Sequence, residues 1–441
     1  MRLRNRRSAL TAAAALAAAV GGLLALGPDL APGPGPVAAP RAEGGALAAA
    51  GAPAPAGELA ATVETRRGWL REHPDDAASW AVLGSARIEQ ARRSMDPAYY
   101  PKAEAALRRS LAVAPANPDA LTGMGALADA RHDFGAAKAW GERVRAAAPD
   151  RWSVYPVLVD AYTQLGDYPA ASRAVQRLLD LRPGLPAFTR AAYELEIHGR
   201  TEESALALRE ALDAANSPAE RAFCLQRLGE LAWQRGDVRG ALRLDDDALR
   251  TDPEHHAALV GRARALAALG RTGAALRDYR TAVDRVPLPE YVLELGELYE
   301  SLGRAHEART QYAVLRAEVK LFAANGARDD LTLGLYEADH GSAAAAVRDL
   351  EREWGRRRSV LVADGLGWAL HRAGRDAEAL EYARAAGAIG TRSALFAYHR
   401  GEIERSLGMR AAARTHLGEA LRLNPHFSPL FAPRARKALA S

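Results

Sequence analysis

Gly166, Gly199, Gly236, Gly270, Gly303, Gly341, Gly374 and Gly408 recur 33 to 38 residues apart. Most stand in one phrase: an apolar helical stretch, the glycine, a polar residue and an alanine-rich stretch. A period near 34 makes each unit one helical hairpin, which cannot bury its apolar face alone, so neighbouring units stack into a solenoid. The repeats take up nearly all of the chain from about residue 60 onward. No room remains for a conventional catalytic domain.

Composition supports an all-α class. Alanine, leucine and arginine dominate and aromatic residues are 6%, as many closely packed helices require. Of the 59 basic residues only Lys102, Lys138, Lys320 and Lys437 are lysine, a bias we read as genomic rather than as an arginine-specific site. Of the net charge of +5, the first 42 residues carry +4, from Arg2, Arg4, Arg6, Arg7 and Arg41 against Asp29, which leaves +1 for the rest. A nearly neutral body has no electrostatic footprint for nucleic acid. The single cysteine, Cys224, rules out an intramolecular disulfide, and its apolar neighbours Leu225 and Leu228 make it a small residue in a helix interface rather than a reactive thiol.

Arg2, Arg4, Arg6 and Arg7 precede an uncharged apolar stretch from Ala9 to Leu26, the layout of a secretory signal. Residues 1–27 are expected to act as a cleaved signal peptide or as an uncleaved signal-anchor, with residues 9–26 as a possible membrane tether; a cytoplasmic tail that is neither stays open as an alternative. No cysteine follows to take a lipid. Residues 28–58 are a proline-, alanine- and glycine-rich linker with too little apolar surface to fold. The array itself is expected over residues 59–441, opened by a capping helix that ends near His73-Pro74.

The first full unit places Trp80, Leu83 and Gly84 on one helix and Ala103, Leu107 and Pro115 on or after the next. Leu121, Met124, Gly125, Ala137 and Pro149 fill the same places in the second, and Tyr155, Leu158, Tyr162, Ala171 and Pro183 in the third. Leu225, Leu228, Gly229, Ala241, Ala248 and Pro253 follow further on, then Leu259, Ala263, Ala275, Tyr279, Ala282 and Pro287. Gly296, Tyr299, Ala308 and Tyr312, then Gly367, Leu370 and Ala379, and Gly401, Ala413, Leu417, Ala420 and Pro425 complete the run. This register resembles the tetratricopeptide repeat. The resemblance implies an α-solenoid, a right-handed superhelix of about ten helix-turn-helix repeats between residues 77 and 427, with a closing helix after Ser428. Small residues on both helices let the backbones approach, so Gly229 is expected to face Ala241.

Three departures stand out. Residues 94–101 insert into the first unit, with Tyr99 and Tyr100 expected to pack. Thr189 and Asp330 stand where large apolar residues are usual, and Asp245 replaces the second-helix aromatic, so these units are expected to be soft.

No catalytic constellation is present. His255 and His256 are adjacent, point in different directions on a helix and lack a third ligand at metal spacing, so they mark a solvated helix start. Asp245-Asp246-Asp247 lacks the alternation of a calcium loop. No cofactor, no metal and no enzymatic activity is expected. The resemblance instead implies a concave groove, lined by first helices, that binds a protein or peptide partner. Its positions here are Asp160, Arg190, Glu194, Gln226, Glu230, Arg264, Glu297, Asp364, Trp368, Tyr398 and Glu402. The asparagine and lysine of the family's carboxylate clamp are missing from them. The groove is expected to be mildly acidic at Glu194, Glu230 and Glu297, with an aromatic surface at Trp368 and Tyr398. The function expected is an exported or membrane-tethered, extracytoplasmic interaction scaffold; the alternative is a cytoplasmic adaptor or regulatory protein whose N-terminus is not a signal.

Overall fold

The computed structural model describes residues 56–440. The arginine cluster, the apolar stretch and nearly all of the linker therefore lie outside the described residues. Among the described residues the chain is helical, with no strand, and none of its helices is long and apolar enough to cross a membrane. An opening helix, Ala56–Glu72, precedes ten hairpins, and Phe431–Ala440 closes the array. The first five hairpins pair Ala77–Ser94 with Tyr99–Val113, Pro118–Ala130 with Phe134–Ala147, Tyr155–Leu165 with Tyr168–Leu181, Leu185–Ile197 with Thr201–Asp213, and Pro218–Gln234 with Val238–Thr251. The sixth to tenth pair His256–Ala268 with Thr272–Arg285, Pro289–Ser301 with Ala305–Ala324, Asp330–His340 with Ala343–Arg356, Val360–Arg372 with Asp376–Ala386, and Ala394–Ser406 with Arg410–Leu423.

The recurrent phrase has a local cause. Gly166 ends its helix in the left-handed region (φ 80), and the next residue, Asp167, accepts a hydrogen bond from Ala170 N at 3.2 Å to start the second helix. Gly236 and Asp237 do the same, with Gly240 N donating at 2.8 Å. In these two hairpins glycine satisfies the end of one helix and a short acid the beginning of the next; where Arg200, Arg271, Arg304, Arg375 or Met409 follows the glycine, the second helix starts without a side-chain cap. His132 takes the glycine's place in the second hairpin with φ 58, and Gly341 departs from the series with φ −132.

Packing follows the alternation of small and large residues. Ala103, Ala137, Ala171, Ala241, Ala275 and Ala379 on the second helices are fully buried. The first-helix glycine, however, faces a different partner from the one expected. A Cβ on Gly229 would lie 3.0 Å from Asp245 Oδ1, not against Ala241, just as one on Gly296 would lie 2.4 Å from Tyr312 and one on Gly401 2.7 Å from Leu417. The glycine is a socket for the large second-helix residue, and in the fifth hairpin that residue is an aspartate. Met95 lies just beyond an extended first helix, so the insertion becomes an extra helical turn; Tyr100 is buried and Tyr99 lies under Lys102, 4.9 Å away. Thr189 donates back to Leu185 O at 2.8 Å, and Asp330 receives Arg352 at 3.2 Å, so both polar replacements find partners within regular helices.

Distant hairpins also touch. Thr391 Oγ1 donates to Ile197 O at 2.7 Å, Asn424 Nδ2 to Trp233 O at 2.8 Å, and Val360 N to the Tyr168 hydroxyl at 2.8 Å. Arg357 donates to Gln164 at 2.7 Å, and His132 Nδ1 lies 2.7 Å from Arg328 O. Each contact joins the inner turn of one hairpin, the second to the fifth, to the linker after the hairpin five further on. Successive superhelical turns are thus bonded along a seam.

The seam separates two kinds of turn glycine. Gly199 and Gly303 have the same left-handed backbone (φ 71 and 73), but a Cβ on Gly199 would lie 2.2 Å from Gly390 O, whereas one on Gly303 meets nothing within 4 Å. Gly303→Ala should cost about 1–2 kcal/mol for the backbone conformation alone, and Gly199→Ala clearly more, because it also pushes the two turns apart. Thermal melting of the two variants checks this; equal losses would mean that the seam is not formed in solution.

Candidate functional site

The inward-facing first helices are joined to one another by charged side chains at repeat spacing. Arg190 donates to both oxygens of Asp160, at 3.0 and 2.6 Å, from the next hairpin. Arg264 lies between two hairpins, donating to Glu230 at 2.6 Å on one side and to both Glu294 oxygens at 2.7 Å on the other, and the Tyr279 hydroxyl adds a bond to Glu294 at 2.9 Å. Arg227 donates to Glu196 at 2.7 Å. Burial alone would raise the Glu230 carboxyl, but Arg264 and Arg227 outweigh it and hold the group below its usual range. His340 lies 3.4 Å from Glu297 and 3.1 Å from Glu300. Burial works against its charge, yet Glu297 and Glu300 prevail and raise its pKa.

These contacts overturn two expectations about the groove. Glu194, Glu230 and Glu297 do not form a free acidic surface: Glu194 is buried and accepts from Ser172 Oγ at 2.5 Å, and the other two are paired. Trp368 and Tyr398 are no aromatic surface either, since each is only 2% exposed. Trp368 donates to Asp339 at 3.0 Å and stacks on His399 at 4.2 Å, while Tyr398 stacks on Phe431 of the closing helix at 5.1 Å. Asp364 lies 2.9 Å from His399 Nδ1, Glu402 accepts from Arg405 at 2.7 Å, and Gln226 is buried.

What remains open is a cavity of about 440 Å³. Its walls are first helices from the fifth to the eighth and the tenth hairpins, through Trp233, Arg264, Glu297, Asp339 and His399, closed by the last segment. Leu293, Leu298, Leu335 and Leu395 supply an apolar strip, with Phe427 and Phe431 opposite. His399 Nε2 has no hydrogen-bond partner. The volume lies in the range of ligand and side-chain pockets.

Sequence reasoning found Arg264 and Glu297 in this wall and missed Glu294, one helical turn before Glu297, His399, next to Tyr398, and Asp339, whose helix carried no predicted groove residue. A signal was present: opposite charges 30 to 34 residues apart, as in Asp160/Arg190, Glu230/Arg264 and Arg264/Glu294.

Other polar candidates are structural. His255 caps its helix by accepting from Ala258 N at 3.2 Å, and His256 Nδ1 lies 3.0 Å from the Tyr291 hydroxyl; burial lowers the His256 pKa to about 4. Both are half-buried rather than solvated. Burial pushes the Cys224 thiol up to about 12, which removes the reactive thiolate. Among the described residues no group of three or more metal-ligating side chains converges.

The family model described as the tetratricopeptide repeat matches residues 227–288 and 266–321, the fifth to seventh hairpins. No curated protein matches the chain. Among solved structures, the chain is similar to a tetratricopeptide repeat protein from Parabacteroides merdae, 19% identical over 57% of this chain and 96% of that one, with a TM-score of 0.34. A thermophilic protein of the same kind from Thermus thermophilus is 20% identical over 42% and 99%, with a TM-score of 0.37. A human IFIT1 dimer with PPP-AAAA is 17% identical over 70% and 71%, with a TM-score of 0.43. Residues 227–321 thus carry tetratricopeptide repeats, within an array whose described residues form an all-α solenoid. Arrays of this kind are in general scaffolds rather than enzymes.

Two predictions test the inner network. Arg264→Met takes the shared cation away from two inward carboxylates and should cost roughly 3–5 kcal/mol, much of it regained when Glu230→Gln and Glu294→Gln are added; denaturant unfolding reads both. Asp245 is 1% exposed with Oδ1 unpaired, and burial, reinforced by Glu230, raises its pKa from 3.8 to about 8. The unfolded chain ionises this group near pH 4 and the folded chain only near pH 8, so its contribution is full below pH 4 and is lost as pH rises to 8, by up to roughly 5 kcal/mol. Melting temperatures from pH 4 to 8 should fall more steeply in the parent than in Asp245→Asn.

Proposed function

We propose that this chain is an exported or membrane-tethered scaffold that receives a segment of a partner polypeptide in the interior of its solenoid. The observation that carries the proposal is the cavity of about 440 Å³ between the first helices and the closing segment. Its apolar strip gives a partner side chain somewhere to be buried, while the charged groups around it have already found one another. Contact is therefore led by large apolar side chains of the partner. Export rests on the four arginines ahead of the Ala9–Leu26 stretch.

A photo-crosslinking residue at Leu335 or Leu395, on the cavity wall, should trap a partner in the native cell. One at Leu206, on a second helix and half exposed, should not. Leu335→Trp fills the cavity and should abolish capture at Leu395 without unfolding the array. Crosslinking of equal yield from Leu206 would reject the interior as the binding surface. Fractionation of the same cells tests location: intact chain found in the cytoplasm removes the export half of the proposal.

A further inference from the structure

A second cavity of about 510 Å³ lies at the opposite end of the array, between the opening helix and both helices of the first hairpin. Five of its ten lining residues are cations, Arg67, Arg71, Arg87, Lys102 and Arg109, and none is a carboxylate. They come from three helices, and all but Arg87 are exposed. The floor is apolar: Leu70 and Leu83 are buried beneath them, with Trp80 at the side. In a body of net charge +1, this concentration does not follow from overall composition.

The cations are only lightly engaged. Among the described residues Arg71 has no hydrogen-bond or ion-pair partner, and Lys102 has only the ring of Tyr99, 4.9 Å away. Arg67 meets Glu64 at 3.0 Å and Arg109 meets Asp75 at 3.2 Å, both exposed pairs of little worth, and Arg87 donates to Gln90 at 2.7 Å. This contrasts with the interior, where Arg190, Arg227 and Arg264 each face a carboxylate from another hairpin.

We propose that this groove docks an acidic amphipathic segment of a partner protein, with a large apolar side chain over Leu70 and Leu83 and carboxylates at Arg71 and Lys102. Charge complementarity selects the acid, and the concave apolar floor selects a segment with a side chain to insert. A nucleic acid fits less well: the Trp80 indole N–H is bonded to Pro74 O at 2.8 Å and the ring forms part of the wall, so no free aromatic face is offered to a base. A flat lipid surface cannot reach the floor between the helices. The site lies apart from the interior cavity, shares no residue with it, and stands or falls separately from the interior reading.

The test is selection of a random twelve-residue peptide library on the full-length protein. Recovered peptides should be enriched in Asp and Glu around one or two Leu, Phe or Trp. They should weaken at least tenfold on the Arg71→Glu/Lys102→Glu variant, mainly through slower association, and weaken again between 50 and 300 mM salt. Both residues are exposed, so the variant's melting temperature should match the parent's. The interior variant Leu335→Trp should bind these peptides unchanged, which keeps this outcome distinct from that of the interior. Recovery of no acidic peptide, or of peptides that bind the double variant as tightly as the parent, overturns the proposal. So does tighter binding of anionic vesicles or of an oligonucleotide than of any peptide, if it depends on the same two cations.

Discussion

The seam between successive superhelical turns is the constraint on which the interior depends. A solenoid held only by nearest-neighbour contacts is quasi-one-dimensional and can change its pitch at modest cost. Here the turns of the second to fifth hairpins are hydrogen-bonded to linkers 191 to 196 residues away. Pitch is therefore fixed by direct bonds. Two of the acceptors, Ile197 O and Trp233 O, are backbone carbonyls at the end of a first helix, where carbonyls lack the partner four residues on. In the third hairpin side chains take this role, Gln164 and the Tyr168 hydroxyl.

Fixing the pitch brings first helices to face each other across a narrow interior, and that decides the fate of their charges. On an open concave surface Glu230, Arg264 and Glu294 would be solvated side chains of little consequence. In the interior they lose water, and each must meet an opposite charge in the neighbouring hairpin. Arg264 does this for two carboxylates at once, its planar fork matching Glu294 with two parallel bonds while its remaining nitrogen reaches Glu230. The residues expected to read a partner read one another instead. An apolar strip is left over.

Most of the fold was legible because it is written in local, periodic signals. The turn glycines, the buried second-helix alanines and the prolines after them each solve a problem within one hairpin, and ten repetitions make the register plain. Gly229 was assigned to the wrong partner because period alone gives which residues are small, not which neighbour fills the space; Gly296 over Tyr312 shows the rule that Asp245 inherits. The seam was not legible at all. Gly199 and Gly303 look alike in sequence and have the same backbone angle, and only contact with residues about 190 positions away separates them. The candidate site suffered from the same blindness. Its positions lie on inward helices as the resemblance implies, but their exposure depended on pitch, and so Trp368 and Tyr398 were read as surface.

One segment couples the seam to the cavity. Trp233 offers its carbonyl to Asn424 and also lines the cavity. Three residues beyond Asn424, Phe427 forms part of the opposite wall, and Phe431, the first residue of the closing helix, packs on Tyr398. The side-chain amide of a single, nearly fully buried asparagine thus anchors the end of the last hairpin, from which the cavity's closing wall extends. Asn424 also accepts from His426 N at 2.8 Å, and Ser428 accepts from Phe431 N at 3.1 Å, so the link between the last hairpin and the closing helix is held by side chains at both ends. The closing helix is amphipathic and buries Phe431 and Ala435 against Trp368, Tyr398 and Leu417. Its position follows from that packing together with the bond that the fifth hairpin supplies to Asn424, so a turn nearly two hundred residues earlier helps to shape the interior at the tenth hairpin.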